Sequence, residues 1–354
     1  MIYLDANATE PLRPEARTAA IEAMDCLGNP SSVHGEGRAA RRLLESARST
    51  LAQRFGPGEV VFTSGGTEAN ALAIHGMSPG RRVLVGATEH PAVLAASPGA
   101  AQLPVDGQGR VALEALESLL RDGPALVCLM AANNETGVLH PIAEAAALCR
   151  AAGARLHVDA VQAAGRGSIP VGWDSLALSG HKFGGAKGAG ALVLAPGVET
   201  GALIAGGGQE RGRRGGTEAL PAIAAMAAAA ACPPAALTAL RDQMEQRLRE
   251  LAPGLVIIGE GAPRLGNTSC LALPAVAAET QVIALDLAGV RVSAGAACSS
   301  GKVARSHVLV AMGLGELAGN AIRVSLPWNA TATDIEGFVD AWAAMRRHLS
   351  RRGS

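Results

Sequence analysis

At 354 residues the chain exceeds what one small core closes over, so about two domains are expected. Lys and Arg together number 31 and Asp and Glu 31, so no net field draws the chain to nucleic acid or to an anionic lipid surface, and neither partner is expected. With 49% hydrophobic and 18% charged residues it reads as a compact globular protein, and no apolar run reaches the roughly 20 residues that span a bilayer. The start, MIYLDANATE, lacks the basic segment and apolar core of a signal peptide, which points to the cytoplasm.

The first residues, IYLDANATE, form an extended segment that ends at Pro11 and Pro14, and helical periodicity follows to about Cys26. After GNPSSVHGEGR an amphipathic helix begins near Gly35, with Ala39, Leu43, Leu44, Ala47 and Leu51 on one face and its arginines on a face expected to be solvated. From Glu59 onward strand and helix alternate. The runs EVVFT, RRVLVGA, PALVCLMA, ARLHVDA and DSLALSG read as strands, and GAGALVLAPG as a strand returning beside the last. Such alternation predicts a mainly parallel sheet covered by helices on both faces, with ligands bound at the carboxyl ends of the strands.

Beyond GGGQERGRRGGTE two alanine-rich helical segments run from about Glu218 to Leu251. GLVIIG, NTSCLAL, a helix from about Glu279 to Ala288, VRVSAG and AIRVSLP then suggest a smaller α+β unit. A boundary near Pro253 gives a large domain over 15–253 and a small one over 254–354, with residues 1–14 added because one short strand cannot stand alone.

Each polar cluster of the first half follows a strand: SGGTE, TEH, NNE, HVDA-VQ and SGHK. In a parallel sheet these converge on one rim. SGGTE at a strand-to-helix turn can turn backbone N–H groups and hydroxyls toward an anion. It is neither a GxxxxGK[ST] loop nor a GxGxxG fingerprint, so the phosphate it suits belongs to a smaller cofactor. A lone lysine in a glycine-rich loop is usually a solvated turn residue, and an aspartate after a strand can simply cap a helix. Lys182, Asp159 and the cradle together, however, are the parts that pyridoxal phosphate (PLP) requires: a Schiff-base lysine, an acid for the pyridine nitrogen and a phosphate site, with His90 able to stack on the ring.

Six cysteines, Cys26, Cys128, Cys149, Cys232, Cys270 and Cys298, contain no CxxC pair, so neither a metal ribbon nor a disulfide framework is expected. Most read as small buried hydrophobes. Cys298 differs, because its run of small residues, SAGAACSSGK, suits a loop that carries a thiol to a cofactor.

HVDAVQ, SGHKFGGAKGAG, SGGTEAN, TEHPAV, NNETG, GGGQERGRRGGTE and SAGAACSSG together resemble the cysteine desulfurases of the NifS/IscS type, in the class V aminotransferase superfamily. The resemblance runs from LDANAT to AIRVSL, nearly the whole chain. It implies the α/β fold type I of PLP-dependent transferases, with a seven-stranded sheet. It makes Lys182 the Schiff-base lysine, Asp159 the partner of the pyridine nitrogen, His90 a stacking residue that also moves protons, and Gln162 a donor to the ring hydroxyl. Gly66, Thr67, Ser179 and His181 would hold the phosphate. Thr217 would reach the phosphate of a neighbouring subunit, which implies a homodimer with shared sites. Asn134 and Arg323 would face the substrate, Arg323 gripping its carboxylate with two parallel bonds.

The same resemblance makes Cys298 the thiolate that takes sulfur from L-cysteine as a persulfide, leaves L-alanine, and later passes the sulfur to an acceptor protein, an iron-sulfur scaffold or another carrier. A selenocysteine lyase, another class V aminotransferase and a catalytically silent binding relative are the rival readings. The chain departs from the family pattern at Glu10, where a second threonine is usual, at Ala296, where serine is frequent, and at KVARSH, which replaces an acidic-proline pair. The last departure leaves the identity of the acceptor open.

Overall fold

A computed structural model of the chain describes residues 1–295 and 305–350. Its centre is a seven-stranded sheet in the order Glu59–Thr63, Gly190–Leu194, Ser175–Ser179, Arg155–Asp159, Ala125–Met130, Arg82–Gly86, Ala101–Leu103. Gly190–Leu194 runs antiparallel to both its neighbours, and the other strands all point one way. The ALVCLM strand is buried at every position, as an apolar run covered on both faces must be. Its residues divide with period two: Val127 and Leu129 join one core, and Leu126 and Cys128 the other.

The first of these cores is filled by the helices Pro14–Met24, Gly35–Phe55 and Leu220–Ala231, and the second by Gly66–Met77. The strand Ala101–Leu103 and the helix Leu113–Leu120 were not anticipated. Three residues at a sheet edge, two of them exposed, carry no periodic signal.

Around Gly35–Phe55 the arginines Arg38, Arg41, Arg42 and Arg54 are exposed, as expected of a solvated face, and Arg48 is the exception. Arg41 donates to Pro30 O at 2.8 Å, and Arg48 holds Glu210 with Nη1 to Oε2 at 2.7 Å and Nη2 to Oε1 at 2.9 Å. The buried stripe also passes through Ala40 rather than Ala39.

A separate core gathers Leu4, Leu271, Ile322, Val324, Phe338 and Trp342. Thr268–Ala272 lies between Ala321–Ser325 and Val256–Ile257, antiparallel to both, and Ile2–Tyr3 pairs in parallel with Val290–Arg291. Leu237, Met244 and Leu248 belong to this core, so the helix Thr238–Leu251 packs with the C-terminal unit. The apolar face of that helix covers the core of the small sheet. No helix of the described residues is long and apolar enough to cross a membrane.

Candidate active site

The parallel strands end together at one rim, where a cavity of about 410 Å³ opens. Lys182 reaches it from a 3-10 turn, Gly180–Lys182, directly after the Ser175–Ser179 strand. Among the described residues its Nζ donates to Asn7 O at 2.7 Å and Ala8 O at 3.1 Å, so it has hydrogen-bond acceptors without a carboxylate at contact distance. Burial, together with the nearby charges of Arg323 and Arg166, pushes the amine down to about 8.

Asp159, at the end of the Arg155–Asp159 strand, is 6% exposed and lines the same cavity. Its Oδ2 accepts from Asn70 Nδ2 at 2.8 Å and its Oδ1 from Val161 N at 2.9 Å. Asn70 Oδ1 lies 2.9 Å from His157 Nε2, whose Nδ1 lies 2.8 Å from Ser175 Oγ. Burial pushes His157 down to about 3, so the ring is neutral and carries one proton. That proton sits on Nε2, facing the amide oxygen, and Ser175 donates to Nδ1. The chain of bonds fixes which way Asn70 turns and thereby holds Asp159. Burial raises the Asp159 carboxyl, while its hydrogen bonds and the charges of His90 and Lys182 pull it back.

His90 caps the helix Pro91–Ala96, its Nδ1 accepting from Ala92 N at 3.1 Å. An Nδ1 that accepts cannot hold a proton, so the neutral ring carries it on Nε2. Burial lowers its pKa, Lys182 and His307 assist, and Asp159 opposes.

The same cavity is bordered by the N-terminus of Gly66–Met77, with Gly66, Thr67, Ser179 and His181 in its lining. The first turn has unpaired N–H groups. A Cβ on Gly66 would stand 2.6 Å from Val161 Cγ2, so only glycine lets the helix start this close to the Asp159 turn. His181 Nδ1 lies 3.2 Å from Thr9 Oγ1, and burial with two nearby lysines pushes the ring down to about 4. Thr217 is exposed and lines a different cleft, behind Ser64 and Gly188.

Asn134 lines the cavity, but Arg323 does not. The Arg323 guanidinium is 6% exposed and bonded to Asp5 and to Asn134 O, and its Nε is buried without a partner among the described residues. Gln162 spends one amide hydrogen on Asn7 O at 3.0 Å and accepts from Arg166, which leaves its second hydrogen for the cavity. Arg166 pairs at 3.0 Å with Glu10, the residue that departs from the family pattern, and both are nearly fully buried. Cys298, like Ala296, lies outside the described residues.

Asn70, His157 and Arg166 were not singled out in the sequence. Asn70 stands three residues after Thr67 on one helical face, and His157 two before Asp159 on one strand face, which was the available signal. The arrangement fits PLP: around one cavity stand a buried, oriented acid, a helix N-terminus with hydroxyls, a glycine where a Cβ would collide, and a lysine. Among the described residues, no group of His, Cys, Asp and Glu is placed to hold a metal ion.

Residues 2–338 match the aminotransferase class-V family. A cysteine desulfurase of Cereibacter sphaeroides is 43% identical over 96% of this chain and 94% of the relative, and one of Sinorhizobium fredii is 38% identical over 98% and 97%. Among solved structures, a NifS-like protein from Rickettsia africae ESF-5 superposes with a TM-score of 0.90 at 35% identity, over 98% of this chain and 99% of that one. A structure described as SspA in complex with cysteine superposes with a TM-score of 0.81 at 28% identity, over 92% of this chain and 99% of that one. With that extent of similarity, from the first strand to the last helix, the chain belongs to the class-V aminotransferase family and stands within it beside the cysteine desulfurases.

Proposed function

We propose that this enzyme is a PLP-dependent cysteine desulfurase, which converts L-cysteine to L-alanine and leaves the sulfur as a persulfide on Cys298. The observation that carries the reading is Lys182, half-buried in one cavity with an oriented acid and a helix N-terminus, with an amine lowered to about 8. Relatives bearing the cysteine desulfurase name match it along nearly their full length.

Bound PLP supplies an electron sink for the pair left when the substrate loses its Cα proton. With PLP bound, Lys182 would be the residue that holds the cofactor, and its Nζ, once free, would take the Cα proton. Asp159, oriented by Asn70, keeps the pyridine nitrogen protonated. Gly66, Thr67, Ser179 and His181 hold the phosphate, and Gln162 offers its second amide hydrogen to the ring hydroxyl. His90, protonated on Nε2, would face the bound cofactor's ring and could supply a proton there. Asn134 and Arg323 position the substrate carboxylate.

The Cys298 thiolate attacks the substrate sulfur. An S–S bond forms, the Cβ–S bond breaks with its electron pair left toward Cβ, protonation there completes the methyl group, and return of a proton from Lys182 to Cα completes alanine. The persulfide later passes its outer sulfur to an acceptor protein, an iron-sulfur scaffold or another carrier.

Thr217, exposed beside a neighbouring cleft, supports its reading as a contributor to a second subunit's phosphate site and hence a homodimer. The small domain comprises residues 1–14 and the chain from about residue 235, the rest forming the large domain.

The deciding experiment incubates the purified protein with L-cysteine, measures alanine, and identifies the cysteine that carries extra sulfur. Alanine and a persulfide on Cys298, both lost in Cys298→Ala, are expected. Alanine without that persulfide overturns the sulfur-transfer step, and a colourless protein that binds no PLP overturns the whole reading.

A further inference from the structure

Glu135, in the NNETG turn, is 3% exposed and has no part in the chemistry above. Its N–H donates to Asn133 Oδ1 at 2.9 Å, which fixes the turn next to Asn134. Its Oε2 accepts the Ser306 hydroxyl at 2.6 Å, and Ser306 Oγ itself accepts Leu309 N–H at 3.1 Å, capping the helix His307–Ala311. A hydroxyl has one proton, and with Leu309 donating to its oxygen that proton is directed at Glu135.

On the other side of the same oxygen lies Gly295. Its φ is 35°, and a Cβ built on it would stand 2.8 Å from Glu135 Oε2. Gly295 and Ser306 flank residues 296–304, the stretch that contains Cys298. One buried carboxylate oxygen is thus packed against the approach to this stretch and against the exit from it. Each side is held again nearby: Ser293 exchanges backbone hydrogen bonds with Arg323 at 3.1 and 2.6 Å, and His307 Nε2 lies 3.0 Å from Glu89 O, next to His90.

We propose that Glu135 is a positioning residue for Cys298, tying both flanks of the cysteine-bearing stretch to the turn that carries Asn134. Its work is geometric: it accepts one directed hydrogen bond and fills the space that Gly295 leaves open. A carbonyl oxygen of the same shape can do the same, so the charge is dispensable and the acceptor is not. The proposal rests on the reading of Cys298 as the sulfur-accepting thiol.

The test uses the PLP-loaded enzyme with Glu135→Ala, Glu135→Gln and Ser306→Ala. Three quantities are followed: the rate of Cys298 alkylation by iodoacetamide without substrate, read on the tryptic peptide; the visible spectrum of the cofactor and its change on adding L-cysteine; and persulfide formed on Cys298. Glu135→Ala and Ser306→Ala are expected to keep both spectra yet slow persulfide formation roughly 10- to 100-fold, as a misplaced reacting group does, and to change the alkylation rate. Glu135→Gln is expected to restore both to within about twofold of the parent, since the acceptor is retained. Unchanged persulfide formation in both alanine variants overturns the proposal, as does a glutamine variant no better than alanine. Loss of the cofactor spectrum in step with the persulfide also overturns it, because the turn would then serve only the fold. Should Glu135→Ala not fold, Ser306→Ala and Glu135→Gln carry the same comparison. If the parent enzyme makes alanine but no Cys298 persulfide, the functional reading fails separately, and the alkylation rates still report whether Glu135 positions this thiol.

Discussion

Arg323 donates from Nη2 to Asp5 Oδ1 at 2.6 Å, joining the last strand of the small sheet to the N-terminal segment. The arginine is the buried member, 6% exposed against 23% for the aspartate. Its Nη1 is engaged as well, with Asn134 O at 3.1 Å. A substrate carboxylate that calls on this guanidinium must therefore displace Asp5 or share the charge with it. Asp5→Asn keeps an acceptor but removes the competing charge. The KM for L-cysteine is expected to fall roughly fivefold, the equivalent of ~1 kcal/mol for a partly exposed ion pair. Initial-rate kinetics check this, and a higher KM would show that Asp5 instead holds the guanidinium ready.

The amine of Lys182 sets a second expectation. Burial is the leading cause of its fall from 10.5 to about 8, and Arg323 and Arg166 add to it. Below about pH 8 the apoprotein holds an ammonium that cannot attack the cofactor aldehyde, and above it a neutral amine. Reloading of apoprotein with PLP should accelerate as pH rises and level off above about 8, measured by the growth of the visible band on mixing. Stability follows the same sign. Between about 8 and 10.5 the unfolded chain binds more protons at this residue than the folded one, so its contribution to apoprotein stability rises with pH across that window. Lys182→Met should remove that slope, together with the visible band.

Asn70 is the residue through which His157 and Ser175 reach Asp159. In Asn70→Ala the buried carboxylate loses a 2.8 Å donor, and with it the restraint on its orientation. Cofactor affinity is expected to fall about 10- to 100-fold, as for the loss of a hydrogen bond to a charged group. A PLP titration followed by absorbance measures it. An unchanged Kd would mean that Val161 N alone suffices to hold Asp159.

What the sequence disclosed follows from the reach of each signal. Lys182, Asp159 and the glycines before Thr67 were legible because each lies where a strand hands over to a turn or helix, a local pattern. Asn70 and His157 were not, since their bond joins positions 87 apart. Arg323 was read for its side chain but not for Asp5, which lies 318 residues away. Thr238–Leu251 showed an amphipathic face, yet periodicity cannot say which of two cores that face covers. Arg48 looked solvated like the other arginines of Gly35–Phe55, which are exposed, because its partner is a carboxylate far downstream.

That carboxylate, Glu210, supports the last expectation. Its side chain is 1% exposed and meets Arg48 with two parallel bonds, while Oε2 also accepts Phe62 N–H at 2.8 Å on the Glu59–Thr63 strand. Arg48 lies over the Phe62 ring, 4.8 Å from its centroid, so the guanidinium is enclosed from several sides. Removing Glu210 leaves Arg48 with the half-exposed Glu45, 3.2 Å from its Nε, as its carboxylate partner, and Glu210→Ala is expected to cost about 3 kcal/mol of folding stability. The backbone offers an internal control. Glu210 has φ 50°, a left-handed conformation that an L-residue adopts at a cost of roughly 1–2 kcal/mol and glycine does not. Glu210→Gly should therefore be less damaging than Glu210→Ala by about that amount, although it deletes the same charge. Urea unfolding of both variants decides the matter: if glycine proves no better than alanine, the left-handed turn is held by its surroundings at no net cost, and the ion pair alone accounts for the loss.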